Sequence, residues 1–381
     1  MGVSPPSYPA VLRLFVRWKK RPLAGVLGVA LPAFGREGPM STQHTRQISR
    51  RRFLGGLTHA GMAGLLGWHP RPVAAEPPPE TTTLRLEQSA VRSICGAPYY
   101  VAEEFLRSEG FTEVQYVQEV GAVGTGKSVA SGHADIVMSF SGPLIVRVDA
   151  GDPIVMLAGV HVGCYEVVGT DRVRAIRDLK GKTVAVPGLD SAHHLFLASM
   201  VAYVGLDPRT DIQWVTHAPS ESIQLLAEGK VDALVGFPPV PQELRAKGIG
   251  HTVVSSAVDR PWSQYFCCIA VGNQAFVRKY PVATKRVLRA ILKATDMCAR
   301  DPDWAAQLIV EKGHTPNYDY ALQTLREIPY NRWREYDPED TVRFYALRLH
   351  EVGMIKSSPQ KIIAQGTDWH FFNELKKELK G

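Results

Sequence analysis

The segment Gly121-Ala122-Val123-Gly124-Thr125-Gly126-Lys127-Ser128 matches the phosphate-cradling pattern G-x-x-x-x-G-K-[ST] in full. In that pattern successive backbone N–H groups hold phosphate oxygens, and the Lys and hydroxyl side chains complete the cradle. The run 114–120 before it alternates as a strand, and 127–131 after it reads as a short helix. That helix stops at Gly132, and no apolar strand ending in Asp pairs with it to hold a magnesium ion. The segment is therefore read as a helix-start loop, with an anion contact as the alternative, and nucleotide hydrolysis is set aside.

A second constellation is Asp190-Ser191-Ala192-His193-His194. Asp190 or Ser191 is a natural N-cap for a helix over 191–204, and the same turn could contact a ligand. A metal pair of His193 and His194 conflicts with helix geometry, because neighbouring residues point about 100° apart. No Ser-His-Asp arrangement, G-x-S-x-G elbow or HExxH helix stands out. The five cysteines are Cys95, Cys164, Cys267, Cys268 and Cys298. Their odd number, without any C-x-x-C, gives neither a zinc ribbon nor a thioredoxin-like site. Four sit among apolar or small residues, the usual setting of a buried small hydrophobe. Adjacent Cys267 and Cys268 lie too close along the chain to bridge each other. No cofactor and no metal is expected. Tyr99, Tyr100, Phe140, Tyr165, Phe237, Trp262 and Tyr265 fall near loops, where they either stack on a planar ligand or pack the core.

The elements that must position these residues alternate. Strand-like runs at 84–88, 114–120, 134–138 and 154–158 are separated by helical patterns at 99–108, 127–131 and 144–150. The same grammar returns with strands at 183–186, 212–216 and 233–235 and helices at 191–204, 221–227 and 241–247. Such alternation argues for parallel sheets covered by helices. The two blocks echo each other: Gly132-His133-Ala134-Asp135 and Gly229-Lys230-Val231-Asp232 each end a helix with a glycine and open a strand with Asp. After a strand at 267–271 only helical patterns follow, at 281–300, 304–312, 318–327, 337–353 and 369–379.

The chain has 381 residues, 45% hydrophobic and 21% charged, with a mean hydropathy of -0.09. Disordered, collagen-like, disulfide-miniprotein and polytopic membrane classes are thereby excluded. The net charge of +7 is misleading, because residues 1–75 hold 11 Lys and Arg and a single acid, Glu37. The remainder holds 33 basic and 36 acidic side chains, which gives no electrostatic reason to invoke nucleic acid. Ser49-Arg50-Arg51-Arg52-Phe53-Leu54 matches the twin-arginine export motif. A short, weakly apolar stretch follows, and then the small-residue cleavage site Val73-Ala74-Ala75. Residues 1–75 are thus expected to be a leader. Met40 is its expected true start, 1–39 being untranslated, and the folded protein is delivered to the periplasm.

Leu179-Lys180-Gly181-Lys182-Thr183-Val184-Ala185-Val186-Pro187-Gly188, then Asp190-Ser191-Ala192-His193, then Glu228-Gly229-Lys230-Val231-Asp232-Ala233, resemble the solute-binding proteins of nitrate/sulfonate/taurine-type ABC importers. The superfamily also includes thiamine-pyrimidine-precursor binding proteins and a fungal pyrimidine synthase. The resemblance covers roughly 84–300 and implies a periplasmic-binding-protein-like α/β fold. Two α/β lobes are joined by two hinge crossings, here placed near 168–174 and 256–268. Lobe 1 would be 76–170 and 262–381, its helical C-terminal tail packed on it, and lobe 2 would be 171–261. A small polar or anionic organic solute, sulfonate/nitrate/taurine-like or pyrimidine-like, would sit between the lobes. Its expected contacts are polar anchors at Ser139, Ser141, Gly188, Ser191 and His193 and ring or lid contacts at Tyr99, Phe140, Phe237 and Trp262. Strand carboxyl ends and helix N-termini suit such a ligand. The implied partner is an inner-membrane permease with a separate ATPase, and the chain would be a monomer that does not itself span the membrane. Two other readings stand beside it, a pyrimidine synthase-like enzyme of the same fold and a periplasmic sensor or partner-binding module.

Overall fold

The computed structural model describes residues 76–89, 92–120 and 126–380. The twin-arginine leader and Gly121 to Thr125 of the glycine-rich loop lie outside the described residues. The described strands, in chain order, are β1 (Thr83–Gln88), β2 (Glu113–Gln118), β3 (Ile136–Phe140), β4 (Ile154–Val162), β5 (Glu166–Gly169), β6 (Thr183–Val186), β7 (Gln213–Thr216), β8 (Ala233–Gly236), β9 (His251–Ser255) and β10 (Phe266–Asn273).

They form two five-stranded sheets of one design. The first has the order β2-β1-β3-β10-β4 and the second β7-β6-β8-β5-β9. In each, three strands run parallel and an antiparallel strand is inserted beside the third. Each inserted strand arrives from the other sheet, so the insertions are also the crossings between lobes. The chain leaves the first sheet at Val162 and enters the second at Glu166, and it returns between Ser255 and Phe266. The first crossing is therefore earlier than the 168–174 expected, and the lobe boundary precedes 170. The reason is β5, whose four residues are too few to announce themselves by alternation.

The Gly-to-Asp echo has a physical basis. Asp135 precedes β3, donates its N–H to Arg85 O at 2.8 Å and accepts Arg85 N–H on its carboxylate at 2.8 Å. Asp232 precedes β8 and makes the same two bonds to Thr183, at 2.8 and 2.9 Å. In both lobes one carboxylate thus satisfies a backbone N–H of the neighbouring parallel strand, the third of β1 and the first of β6.

The helical tail covers lobe 1. The Pro281–Arg300 helix buries Val287, Leu288, Ile291, Leu292 and Ala294 along one stripe, against the Ala97–Val101 helix and β4. The Pro338–Glu351 helix packs on the Ser141–Asp149 helix of lobe 1 and also on the Ala192–Tyr203 helix of lobe 2. Among the described residues no helix is long and apolar enough to cross a membrane.

Candidate functional site

At the carboxyl ends of β1 and β3, between the lobes, lies a cavity of about 80 Å³. β10 runs antiparallel, so its first residues reach the same end. Lobe 1 contributes Glu87, Ser89, Ser93, Cys95, Tyr99, Tyr100, Glu119, Ser139, Phe140 and Cys268 to the wall. Cys164 and Tyr165 come from the first crossing, and Ala192 and Phe237 from lobe 2. The lobes meet here, with Ile94 N donating to Pro238 O at 3.2 Å. Phe237 also walls a second cavity of about 280 Å³, which includes Arg92, His193, His217 and Glu243.

Of the residues expected at the site, Tyr99, Ser139, Phe140 and Phe237 line the inner cavity and His193 lines the outer one. The Tyr99 hydroxyl is already committed, donating to Ile136 O at 2.9 Å. Phe140 is wedged edge-on among Tyr165, Phe196 and Tyr345. His193 stacks at a tilt 4.5 Å from Phe237, and burial pushes its pKa down to about 3, so it is neutral at ordinary pH. Ser141, Gly188, Ser191 and Trp262 line neither cavity. Ser191 is the N-cap of the Ala192–Tyr203 helix, accepting from His194 N at 3.3 Å. Trp262 is buried against Phe196, Tyr203 and Phe344 beside the second crossing, where it serves as core.

Three buried polar atoms around the cleft have no hydrogen-bond partner: Ser141 Oγ, His161 Nε2 and His193 Nδ1. Unpartnered buried polar groups cost free energy, and each asks for an explanation.

The helix start in the glycine-rich segment is already occupied by an internal anion. Glu87 Oε2 accepts from Ser128 N at 2.9 Å and Val129 N at 3.2 Å. A carboxylate of the chain itself thus stands where a phosphate would sit, so the described part of this segment offers no anion cradle. Burial and the neighbouring Glu119 push the Glu87 pKa up to about 7, against the lowering effect of those hydrogen bonds.

The floor of the inner cavity is sulfur-rich. All five cysteines are buried and unbridged, and Cys164 Sγ lies 2.7 Å from Cys267 Sγ. Cys268 pairs with His161 across β10 and β4, and the register shifts around it are a β-bulge that turns consecutive thiols toward one region. Burial disfavours charge on His161, yet the sulfurs of Cys268 and Cys95 push its pKa up to about 10.

A family model described as the NMT1-like family matches residues 78–310, more than half of the chain. The chain belongs to the NMT1-like family. This NMT1-like chain is similar in fold to the periplasmic nitrate-binding protein NrtA of Synechocystis PCC 6803, with a TM-score of 0.62 at 15% identity over 80% of this chain and 90% of that one. It is similar also to the alkanesulfonate-binding protein SsuA of Xanthomonas axonopodis pv. citri, solved bound to MOPS, with a TM-score of 0.57 at 17% identity over 78% and 100% of the two chains. A curated relative, the bicarbonate transport ATP-binding protein CmpC of Synechococcus elongatus, is 22% identical over 242 residues. The match covers 58% of this chain and 36% of the relative, so the chain spans about a third of that protein's length.

What sequence reading missed in this NMT1-like chain is one group: Glu87 on the wall, Cys95 and Cys268 on the floor, and His161 behind them. No spacing signal could have found it, because the residues come from β1, a 3₁₀ turn, β4 and β10. Only the antiparallel insertion of β10 beside β4 brings His161 and Cys268 together.

Proposed function

We propose that this chain is the periplasmic solute-binding component of an ABC importer. It captures a small polar organic solute between its lobes and presents it, closed, to a membrane permease driven by a separate ATPase. Family membership and fold likeness to NrtA and SsuA support the class of function. The twin-arginine motif supports export of the folded chain.

The solute class follows from the inner cavity. Its wall carries the carboxyls of Glu87 and Glu119 and the rings of Tyr99, Tyr100, Phe140, Tyr165 and Phe237, and among the described residues no Lys or Arg. The Glu119 carboxylate, joined by Glu87 once pH rises through about 7, disfavours an oxyanion here. Aromatic walls favour a planar solute. A small uncharged or cationic nitrogen ring of the pyrimidine kind therefore suits this cavity better than nitrate or a sulfonate. That lining is the observation that carries the reading.

A thermal-shift screen with pyrimidines, nitrate, taurine and alkanesulfonates tests it. At 100 times its dissociation constant, a ligand stabilises by about 2.7 kcal/mol. Stabilisation by a pyrimidine, weakened in Phe237→Leu, is expected. A shift with nitrate or sulfonates and none with ring compounds overturns the solute class. The thiols on the floor favour a second reading, an enzyme of the pyrimidine-synthase kind. Recovery of the bound solute chemically unchanged decides against it.

A further inference from the structure

We propose that Cys95, His161 and Cys268 form a binding site for one thiophilic metal ion of the zinc class, with its fourth coordination position open to the inner cavity. One donor atom from each residue lies within 4.8 Å of the other two, and all three residues are buried. Two thiolates and an imidazole are the donor set that zinc-class ions prefer over magnesium or calcium. Three protein ligands with a fourth position left free is the arrangement of metal sites that engage a small molecule.

The independent observation is the state of His161, which is 0% exposed. Its Nδ1 contacts Val162 O at 3.3 Å. A carbonyl only accepts, so Nδ1 carries a proton, and Nε2 is the nitrogen left for a metal ion, which displaces any proton the neighbouring sulfurs draw onto it. Nε2 is buried without a hydrogen-bond partner. A backbone carbonyl fixing the far nitrogen of a ligating histidine is the usual outer support of a metal site. The donors are also placed in advance. Cys268 stands opposite His161 on paired strands, and the buried Tyr330 hydroxyl holds the Cys95 carbonyl at 3.0 Å. Cys95 and Cys268 line the cavity and His161 lies behind them, so the free side of the site is the side a solute reaches. Binding replaces the two thiol protons with the metal ion and releases them to solvent. The site stands whichever solute the cleft takes.

The test uses the full chain, reduced with a phosphine and titrated with Co²⁺ and then Zn²⁺. The expected result is one ion per chain, a thiolate-to-cobalt charge-transfer band with the visible bands of tetrahedral cobalt, and displacement of both by zinc. About two protons should be released per ion. Cys95→Ser and Cys268→Ser should each weaken binding about 100-fold. The double variant Cys164→Ser/Cys267→Ser should keep the band and the affinity. Circular dichroism checks that each variant folds, and if His161→Gln does not, the serine variants decide. A folded, reduced wild type with no charge-transfer band overturns the site. So does a band that survives in Cys95→Ser and Cys268→Ser but vanishes in the Cys164/Cys267 variant.

Discussion

A Cβ atom on Gly163 would stand 2.3 Å from the Cα of Ala257, so the two crossings between the lobes touch backbone to backbone. Gly163 also has φ +62, a conformation that L side chains rarely adopt. The adjacent Ser256 clips the crossings together: its Oγ accepts from Cys164 N at 3.0 Å and Tyr165 N at 2.9 Å. Gly163→Ala should therefore cost about 2–5 kcal/mol, combining left-handed strain with a backbone clash. Gly151→Ala is the control, since that glycine has φ +85 but nothing within 4 Å of the added carbon. It should cost only about 1–2 kcal/mol. Urea denaturation of both variants checks this, and equal costs would remove the hinge contact from the account.

Ser191 separates capping from binding. Its Oγ accepts from His194 N and lies outside both cavities. Ser191→Ala should lower stability by about 1 kcal/mol and leave solute affinity unchanged. Paired melting and binding curves test it; a large loss of affinity at unchanged stability would return Ser191 to the solute.

The sequence carried most of the architecture because the relevant signals are local. The Gly-to-Asp echo marks the third parallel strand of each lobe, and Tyr99, Ser139 and Phe237 stand in or just past helix and strand ends that periodicity exposes. Strands β5 and β9 were not legible, having four and five residues with no clean alternation. Trp262 and Phe237 look alike in sequence, an aromatic beside a proline. Only packing assigns one to the core and the other to the cavity wall. The cysteines looked like small core hydrophobes because each, taken alone, is one. Their chemistry comes from convergence, which depends on tertiary topology rather than spacing.

Glu87 should make stability depend on pH. Burial and Glu119 raise its folded pKa to about 7 from an ordinary 4.5. The folded state therefore holds this proton more tightly than the unfolded state. Its contribution is fully present below pH 4.5 and is lost as pH rises through about 7, at roughly 3 kcal/mol in all. Glu87→Gln keeps an acceptor for Ser128 N but cannot titrate. Denaturation curves across this window should fall for wild type relative to Glu87→Gln, and parallel curves would place the Glu87 titration elsewhere.

Closure of the lobes has a polar latch at the tail. Arg245, on the Val240–Lys247 helix of lobe 2, holds both carboxylate oxygens of Glu327, on the Tyr318–Glu327 helix, at 3.1 and 2.9 Å. Gln242 adds a bond to Glu327 at 2.9 Å, and Arg245 is itself braced by Glu166 at 2.7 Å. The Arg245–Glu327 contact is partly exposed, so its net worth is about 0.2–1 kcal/mol and salt screens it. Because it joins lobe 2 to the tail of lobe 1, that energy belongs to the closed form alone. Glu327→Ala should shift the population toward the open form and weaken solute binding about 2- to 5-fold. The effect should shrink at high salt, and solution scattering of the solute-free variant should report a larger radius of gyration. An affinity equal to wild type at low salt would mean that apolar contacts between the Pro338–Glu351 and Ala192–Tyr203 helices hold the lobes closed without the latch.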